Sequence, residues 1–116
     1  MRVKLIKEKF LSLLGLCQKA GKMLSGTVQC EGAIRSGKVF LLILSQEASE
    51  ATRDKFSHMC KKRNINIIIF GTKDELGGAI GKGSRTVLAV IDKGFKDLLL
   101  KEYKKIRHGG DVNGKN

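Results

Sequence analysis

The chain has 116 residues, which is enough for one hydrophobic core and too short for the usual division into several domains. Its 23 Lys and Arg residues against 11 Asp and Glu residues give a formal charge of +12, and 41% of the residues are hydrophobic. That hydrophobic content excludes a wholly disordered basic tail. The charge favours a polyanionic partner, either nucleic acid or an anionic membrane surface, over an acidic small molecule.

Hydrophobic periodicity and capping residues divide the chain into alternating helices and strands. In chain order we predict helices over 4–20 and 27–36, a strand over 39–44, a helix over 49–64, a strand over 65–70, a short helix from 72 to 80, a strand over 86–91 and a last helix from 92 to 107. The continuous apolar strands are typical of a sheet covered on both faces. This pattern predicts a single-domain α/β fold, a three-layer α/β/α sandwich around a small mixed sheet. We assign residues 1–107 to this domain and residues 108–116 to a flexible basic tail.

Cysteine usage and hydropathy indicate a reduced protein that does not bind membranes. Three cysteines fall in apolar phases of predicted helices and fit no disulfide framework: Cys17, Cys30 and Cys60. An N-terminal apolar stretch resembles a signal peptide, but Phe10, Leu13 and Leu14 recur at the spacing of an amphipathic helix. No run of about 18 apolar residues is present. We therefore expect a cytoplasmic protein without a membrane partner.

Catalytic and metal-binding patterns are weak. Residues 32–39 approach a phosphate-binding loop, but Val39 replaces the magnesium-binding hydroxyl and the motif follows a helix instead of a strand. His58 and Cys60 point about 200° apart on a helix, which does not suit a shared metal. We therefore predict no enzymatic activity, cofactor, metal site or small-molecule substrate.

Two glycine-containing loops are the best candidates for binding. Residues 22–29 lead into the second helix, whose free amides and positive dipole suit a phosphate, and residues 80–85 form a second basic loop. The five phenylalanines, Phe40 among them, fall in apolar phases, so exposed aromatic platforms for single strands are not expected. Folded RNA is therefore the favoured ligand. Sequence spacing does not establish that the two loops are neighbours.

Four motifs together resemble the ribosomal L7Ae and L30e family, in its bacterial YlxQ-like branch. They are KAGK at 19–22, SGT at 25–27, AIRSGK at 33–38 and DELGGAIGK at 74–82, and the likeness covers about residues 8–100. The resemblance implies a compact α/β/α sandwich without enzymatic activity. It also implies binding of kink-turn RNA, a sharply bent duplex with sheared G·A pairs, through the start of the second helix and the loop before the last strand.

Combining the loops with this resemblance gives a predicted RNA-binding surface. Its residues are Lys19, Lys22, Gly26, Thr27, Val28, Gln29, Lys38, Ile80, Gly81, Lys82, Ser84 and Arg85. The family pattern at the helix start is Asn-Glu with a Lys one turn later, where this chain has Val28, Gln29 and Gly32. RNA binding is therefore expected, while kink-turn specificity stays open.

Three functions compete at this point. The first is a monomeric, ribosome-associated protein that binds structured RNA such as ribosomal RNA. The second is a protein-interaction adaptor of the same fold that has lost specific RNA recognition at Val28 and Gly32. The third, a small-molecule enzyme, is disfavoured because the sequence shows no acid, base or metal set.

Overall fold

A computed structural model of the chain describes the backbone of residues 2–115 and the side chains of residues 4–107. Its elements are α1 (Arg2–Lys19), β1 (Met23–Ser25), α2 (Thr27–Arg35), β2 (Leu41–Leu44), α3 (Glu50–Lys62), β3 (Asn66–Ile69), α4 (Lys73–Ala79), β4 (Val87–Val90) and α5 (Lys93–Lys115). Within the described region, no helix has both the length and the apolar character needed to cross a bilayer. The last helix was predicted to end at residue 107, whereas the backbone of α5 is helical to Lys115; the side chains of the tail predicted for residues 108–116 lie outside the described ones.

The four strands form one mixed sheet in the order β1, β4, β2, β3. β2 runs parallel to β3 and antiparallel to β4, and β1 pairs antiparallel with β4 on its other side. The sheet therefore has two ends. The carboxyl end is where β1, β2 and β3 finish and β4 begins, and the amino end is where β1, β2 and β3 begin and β4 finishes.

Helices cover both faces of this sheet. On one face α1, α4 and α5 pack through a buried cluster that includes Phe10, Leu76 and Leu99. On the other face α2 and α3 pack through a second cluster that includes Ile34 and Phe56. All four residues of β2 are fully buried, as an apolar strand in the middle of three layers should be. The predicted α/β/α sandwich with a mixed sheet is confirmed.

Two sequence predictions about the strands need correction. β1 was predicted as part of a loop, because its three residues, Met-Leu-Ser, are too few to show a strand period. Phe40 was predicted to be buried, but it precedes β2 and its side chain is 41% exposed. The first correction concerns an edge strand of the sheet, and the second concerns its amino end.

Candidate nucleic-acid interface

The start of α2 lies at the carboxyl end of the sheet and has no side-chain cap. Gly26 is its N-cap residue, with φ of 92°, a conformation that side chains rarely adopt. The first intrahelical bond runs from the Cys30 amide to the Gly26 carbonyl over 3.0 Å, so the amides of the first turn have no intrahelical acceptor. No acidic residue lies in this turn. The helix start therefore presents free donors and a positive dipole to an anion.

The neighbouring helix starts differ in this respect. The Ser49 hydroxyl accepts from the Thr52 amide at the start of α3. Thr72 and Glu75 form the predicted capping box at the start of α4, with reciprocal bonds of 3.0 and 2.9 Å. Among these three helix starts at the carboxyl end, only that of α2 is left without a side-chain cap.

Residues 80–85 follow α4 and pack against it, because the backbone of Gly83 lies close to that of Gly77. A Cβ on Gly77 would lie 1.9 Å from the Gly83 carbonyl oxygen, so only glycine at position 77 permits this approach. The Lys82 amide donates to the Gly77 carbonyl over 2.8 Å, and the Ser84 hydroxyl donates to the Asp74 carboxylate. The glycines of the DELGG motif therefore determine where the loop sits.

The structure brings this loop to the start of α2. The Arg85 guanidinium donates from Nε to the Ser25 hydroxyl over 3.1 Å, and the Gly26 amide donates to the Val87 carbonyl over 3.1 Å. Pairing of β1 with β4 places these partners together. The juxtaposition that sequence spacing could not establish thus depends on β1, the strand that the sequence did not reveal.

Arg85 is occupied by contacts within the protein. Its Nη1 donates to the carbonyls of Gly83 and Ser84 over 3.2 and 3.0 Å, in addition to the Nε bond to Ser25. Its backbone amide also donates to the Lys73 carbonyl over 3.0 Å. The side chain therefore fastens the loop to β1 as well as contributing charge.

The other predicted residues fall into three groups. Thr27, Val28 and Gln29 are exposed at the start of α2, and Val28 reaches 82% exposure. Gly81, Lys82 and Ser84 are exposed on the loop. Ile80 is only 6% exposed and packs in the core beside α1. Its side chain therefore anchors the loop to the core and is not available to contact RNA.

Lys19, Lys22 and Lys38 lie at the amino end of the sheet, away from both loops. Lys22 immediately precedes β1, and its carbonyl accepts from the Ile91 amide just after β4. Lys19 ends α1, and Lys38 follows the end of α2. The predicted surface is therefore divided between opposite ends of the sheet.

The thiol beneath the start of α2 is a packing group. The Cys30 Sγ faces the carbonyls of Leu24 and Val87 at 3.9 Å, and burial raises the pKa of this thiol to about 12. Burial likewise raises the pKa of Cys17 to about 12 and that of Cys60 to about 11. Thiols that stay protonated at neutral pH are poor nucleophiles. Across residues 4–107, no group of three His, Cys, Asp or Glu side chains could hold a metal ion.

Comparison of the sequence with known families identifies the class of protein to which this site belongs. Residues 8–100 match the profile of the ribosomal protein L7Ae/L30e/S12e/Gadd45 family, and the chain belongs to that family. The predicted membership is confirmed.

Individual relatives support the predicted branch. The chain is 33% identical over 92 residues to the RNA-binding protein YlxQ of Bacillus subtilis, covering 79% of this chain and 92% of that protein. It is 30% identical over 101 residues to the large ribosomal subunit protein eL30 of Tetrahymena thermophila, covering 85% and 97%. The YlxQ-like branch predicted from the motifs is thus confirmed.

Solved structures share the fold. A Bacillus halodurans protein of unknown function superposes with a TM-score of 0.79 at 39% identity, covering 81% of this chain and 95% of that one. The Giardia lamblia 15.5kD RNA binding protein superposes with a TM-score of 0.71 at 15% identity, covering 93% and 90%. The second likeness is one of fold alone.

Proposed function

We propose that this protein binds structured RNA at the carboxyl end of its sheet, without catalysis, and that it works in association with the ribosome. The observation that carries the proposal is the contact between two segments, the uncapped start of α2 and the glycine-seated loop 80–85. Relatives described as an RNA-binding protein and as a large ribosomal subunit protein support both parts of it.

The two segments supply complementary chemistry for an RNA backbone and a base. The free amides of residues 27–29 and the helix dipole attract a phosphate, and Lys82 adds a mobile positive charge from the loop. Gln29 offers an amide that can both donate to and accept from a base edge. The exposed Val28 side chain can contact a ribose or a base face. Phosphate contacts set the position of the RNA, and Gln29 supplies the selectivity.

The favoured ligand is a kink-turn-like or ribosomal RNA. A bend brings two stretches of backbone close together, which suits two protein segments fixed side by side by β1 and β4. Gln29 and Val28 stand where the family pattern has Glu and Asn, so we expect a weaker preference for kinked over straight RNA than that pattern gives. We further propose that the protein acts in the cytoplasm, which its buried free thiols fit, and that it acts as a monomer.

The test is a titration of a kink-turn RNA and an unbent duplex of equal length at two salt concentrations. We expect Lys82→Ala to weaken both RNAs and to reduce the salt slope by about 0.7–0.9. Gln29→Ala should mainly erode the preference for the kinked RNA, by about 1–3 kcal/mol if its amide contacts a base edge bidentately. Equal losses of both RNAs in both variants would contradict the roles given to these side chains.

Arg85 provides a sharper version of the same test. Because its guanidinium bonds to three groups at once, Arg85→Lys should bind RNA nearly as poorly as Arg85→Ala although it keeps the charge. If Arg85→Lys bound RNA as tightly as the unmodified protein, Arg85 would act only as a cation. The hydrogen bond between Arg85 and Ser25 would then not be needed for RNA binding.

One observation favours the alternative function of a protein-interaction adaptor. Val28 is 82% exposed at the centre of the surface, where an apolar side chain suits a protein partner. A protein that copurifies after nuclease treatment and is lost with Val28→Asp, in a chain that fails to bind either RNA, would establish that function instead.

A further inference from the structure

A cluster of positive charge lies at the amino end of the sheet, opposite the proposed RNA site. Its members are exposed and form no salt bridge among residues 4–107: Lys19, Lys22, Lys38, Lys61, Lys62 and Arg63. The fold places them together because α1, α2 and α3 all finish at this end, and β1, β2 and β3 all begin there. We call these six residues the amino-end cluster.

The cluster extends across the sheet, since its residues precede three of the four strands. Neighbouring strands are about 4.8 Å apart, so the starts of β1, β2 and β3 span roughly 14 Å across the four-stranded order. Lys22 precedes β1, Lys38 precedes β2, and Arg63 precedes β3. Arg35, which pairs with Glu31 on α2, lines a groove between α2 and α3 together with Lys62 and Arg63, and the same groove also contains Asp54.

The two ends of the sheet differ in charge. Charged groups of both signs mix at the carboxyl end. The cations near the loops and helix starts are Lys7, Arg53, Lys73, Lys82 and Arg85, and the acids are Glu47, Glu50, Asp74 and Glu75. At the amino end, Asp92 precedes α5 and Asp97 lies beyond its first turn, where Lys93 and Lys96 approach it at 3.7 Å. The amino-end cluster therefore places six cations without a salt bridge among residues 4–107 on the side opposite the proposed RNA site.

Helix dipoles do not account for this excess. Cations commonly stabilise helix C-termini, and three helices end here, but each end carries only about half an elementary negative charge. Three ends offset roughly 1.5 charges of the six in the cluster. Most of the positive potential at the amino end is therefore available to an external anion.

Phe40 adds a second feature to this surface. It lies between Lys38 and β2, its amide donates to the Val90 carbonyl over 2.8 Å, and its side chain is 41% exposed. An exposed phenyl ring two residues from Lys38 suits RNA better than a purely ionic partner, because a base or ribose can lie against the ring while phosphates contact the cations.

We propose that the amino-end cluster is a second RNA-binding surface, which holds the backbone of a different RNA segment from the one at the carboxyl end. The two surfaces face in opposite directions across the strands, so one protein would join two RNA segments. This inference rests on the proposed function only in taking RNA as the ligand. The residues that it involves and the experiment that tests it differ from those of the carboxyl-end site.

The test is a second titration on a preformed complex. Full-length protein is saturated with the kink-turn RNA, and a fluorescent unbent duplex is then added at two salt concentrations. We expect the duplex to bind. With Lys22→Ala, Lys38→Ala and Lys62→Ala combined, its affinity should fall by about tenfold or more and its salt slope by about 2–3, for three lost phosphate contacts. Binding of the first RNA should keep its preference for the kink.

A matched control removes the same charge elsewhere. Lys4, Lys101 and Lys104 are exposed and unpaired among the described side chains, and the combined variant with alanine at all three should bind the second duplex like the unmodified protein. If both triple variants lose the duplex equally, net charge and not this surface binds it, and the inference fails. It also fails if neither variant changes the binding.

The outcome separates this inference from the proposed function. If the kink-turn RNA does not bind at the carboxyl end, the unbent duplex is titrated directly against free protein, and the two triple variants must still differ. Conversely, a normal kink-turn complex with no second duplex bound would overturn the amino-end surface and leave the proposed function standing.

Discussion

Gly77→Ala is the substitution that tests most sharply how the RNA-binding loop is built. The new Cβ would lie 1.9 Å from the Gly83 carbonyl oxygen and 2.6 Å from its carbonyl carbon. Restoring an ordinary contact of about 3.4 Å to that oxygen moves the loop by roughly 1.5 Å. Such a shift breaks two hydrogen bonds, one from the Lys82 amide to the Gly77 carbonyl and one from the Arg85 amide to the Lys73 carbonyl.

The expected magnitude follows from these bonds. Each is worth about 0.5–1.5 kcal/mol, so losing both costs about 1–3 kcal/mol in the free energy of unfolding. Alanine in place of glycine gains up to about 1 kcal/mol of helix propensity, which partly offsets the loss. Gly78→Ala is a matched control, because its Cβ meets nothing within 4 Å and its propensity gain is similar. The difference between the two variants therefore isolates the cost of displacing the loop.

Thermal unfolding and RNA titration measure both consequences. Gly77→Ala should unfold roughly 4–12 °C below Gly78→Ala, using about 4 °C per kcal/mol for a chain of this size. It should also bind the kink-turn RNA more weakly, whereas Gly78→Ala should bind normally. Equal melting temperatures and equal affinities for the two variants would refute the reasoning that Gly77 seats the loop.

Two further predictions concern the capping box and the helix start. The Thr72 amide, followed by the Lys7 ammonium, lowers the pKa of Glu75, so its contribution to stability is complete above the ordinary value of 4.5 and is lost as pH falls through the lowered pKa. Glu75→Gln should therefore flatten the acid limb of a stability-against-pH curve, and an unchanged limb would contradict this. Combining Val28→Asn, Gln29→Glu and Gly32→Lys should raise the preference for kinked RNA, since position 32 opens into free space; no gain in a competition titration would disprove it.

Much of the fold follows from local sequence signals. The buried strands β2 and β4 have continuous apolar runs, and the capping box at Thr72 and Glu75 has the spacing that its two bonds require. The three cysteines fell in apolar phases and are buried. Each of these features depends on residues close together in the chain, which is why periodicity and spacing could predict them.

The candidate site was less predictable because it depends on pairing between distant segments. β1 has three residues and becomes a strand only by pairing with β4. That pairing brings Ser25 to Arg85 and also sends Lys22 to the opposite end of the sheet. Lys19, Lys22 and Lys38 share motifs with the loop residues, but strand direction, which no motif encodes, decides where they lie.

Phe40 shows the same limit for a single side chain. It continues the apolar run of β2 and was therefore predicted to be buried, but it lies just before the strand, beyond the cover of the helices. An apolar pattern predicts which face of the sheet a side chain is on, but it does not predict where along the strand the covering helices end. Because it is exposed near Lys38, the amino end offers an apolar ring for a base or ribose in addition to its positive charges.

Amide chemical-shift mapping of the ¹⁵N-labelled protein with a kink-turn RNA tests the central claim most directly. The account predicts that the amides of residues 26–29 and 81–85 shift at the lowest RNA ratios, with the free amides at the start of α2 among the largest changes. Changes near the amino-end cluster should follow only when a second RNA segment is added. Early shifts confined to the amino end, with the start of α2 unaffected by saturating RNA, would contradict the proposed site.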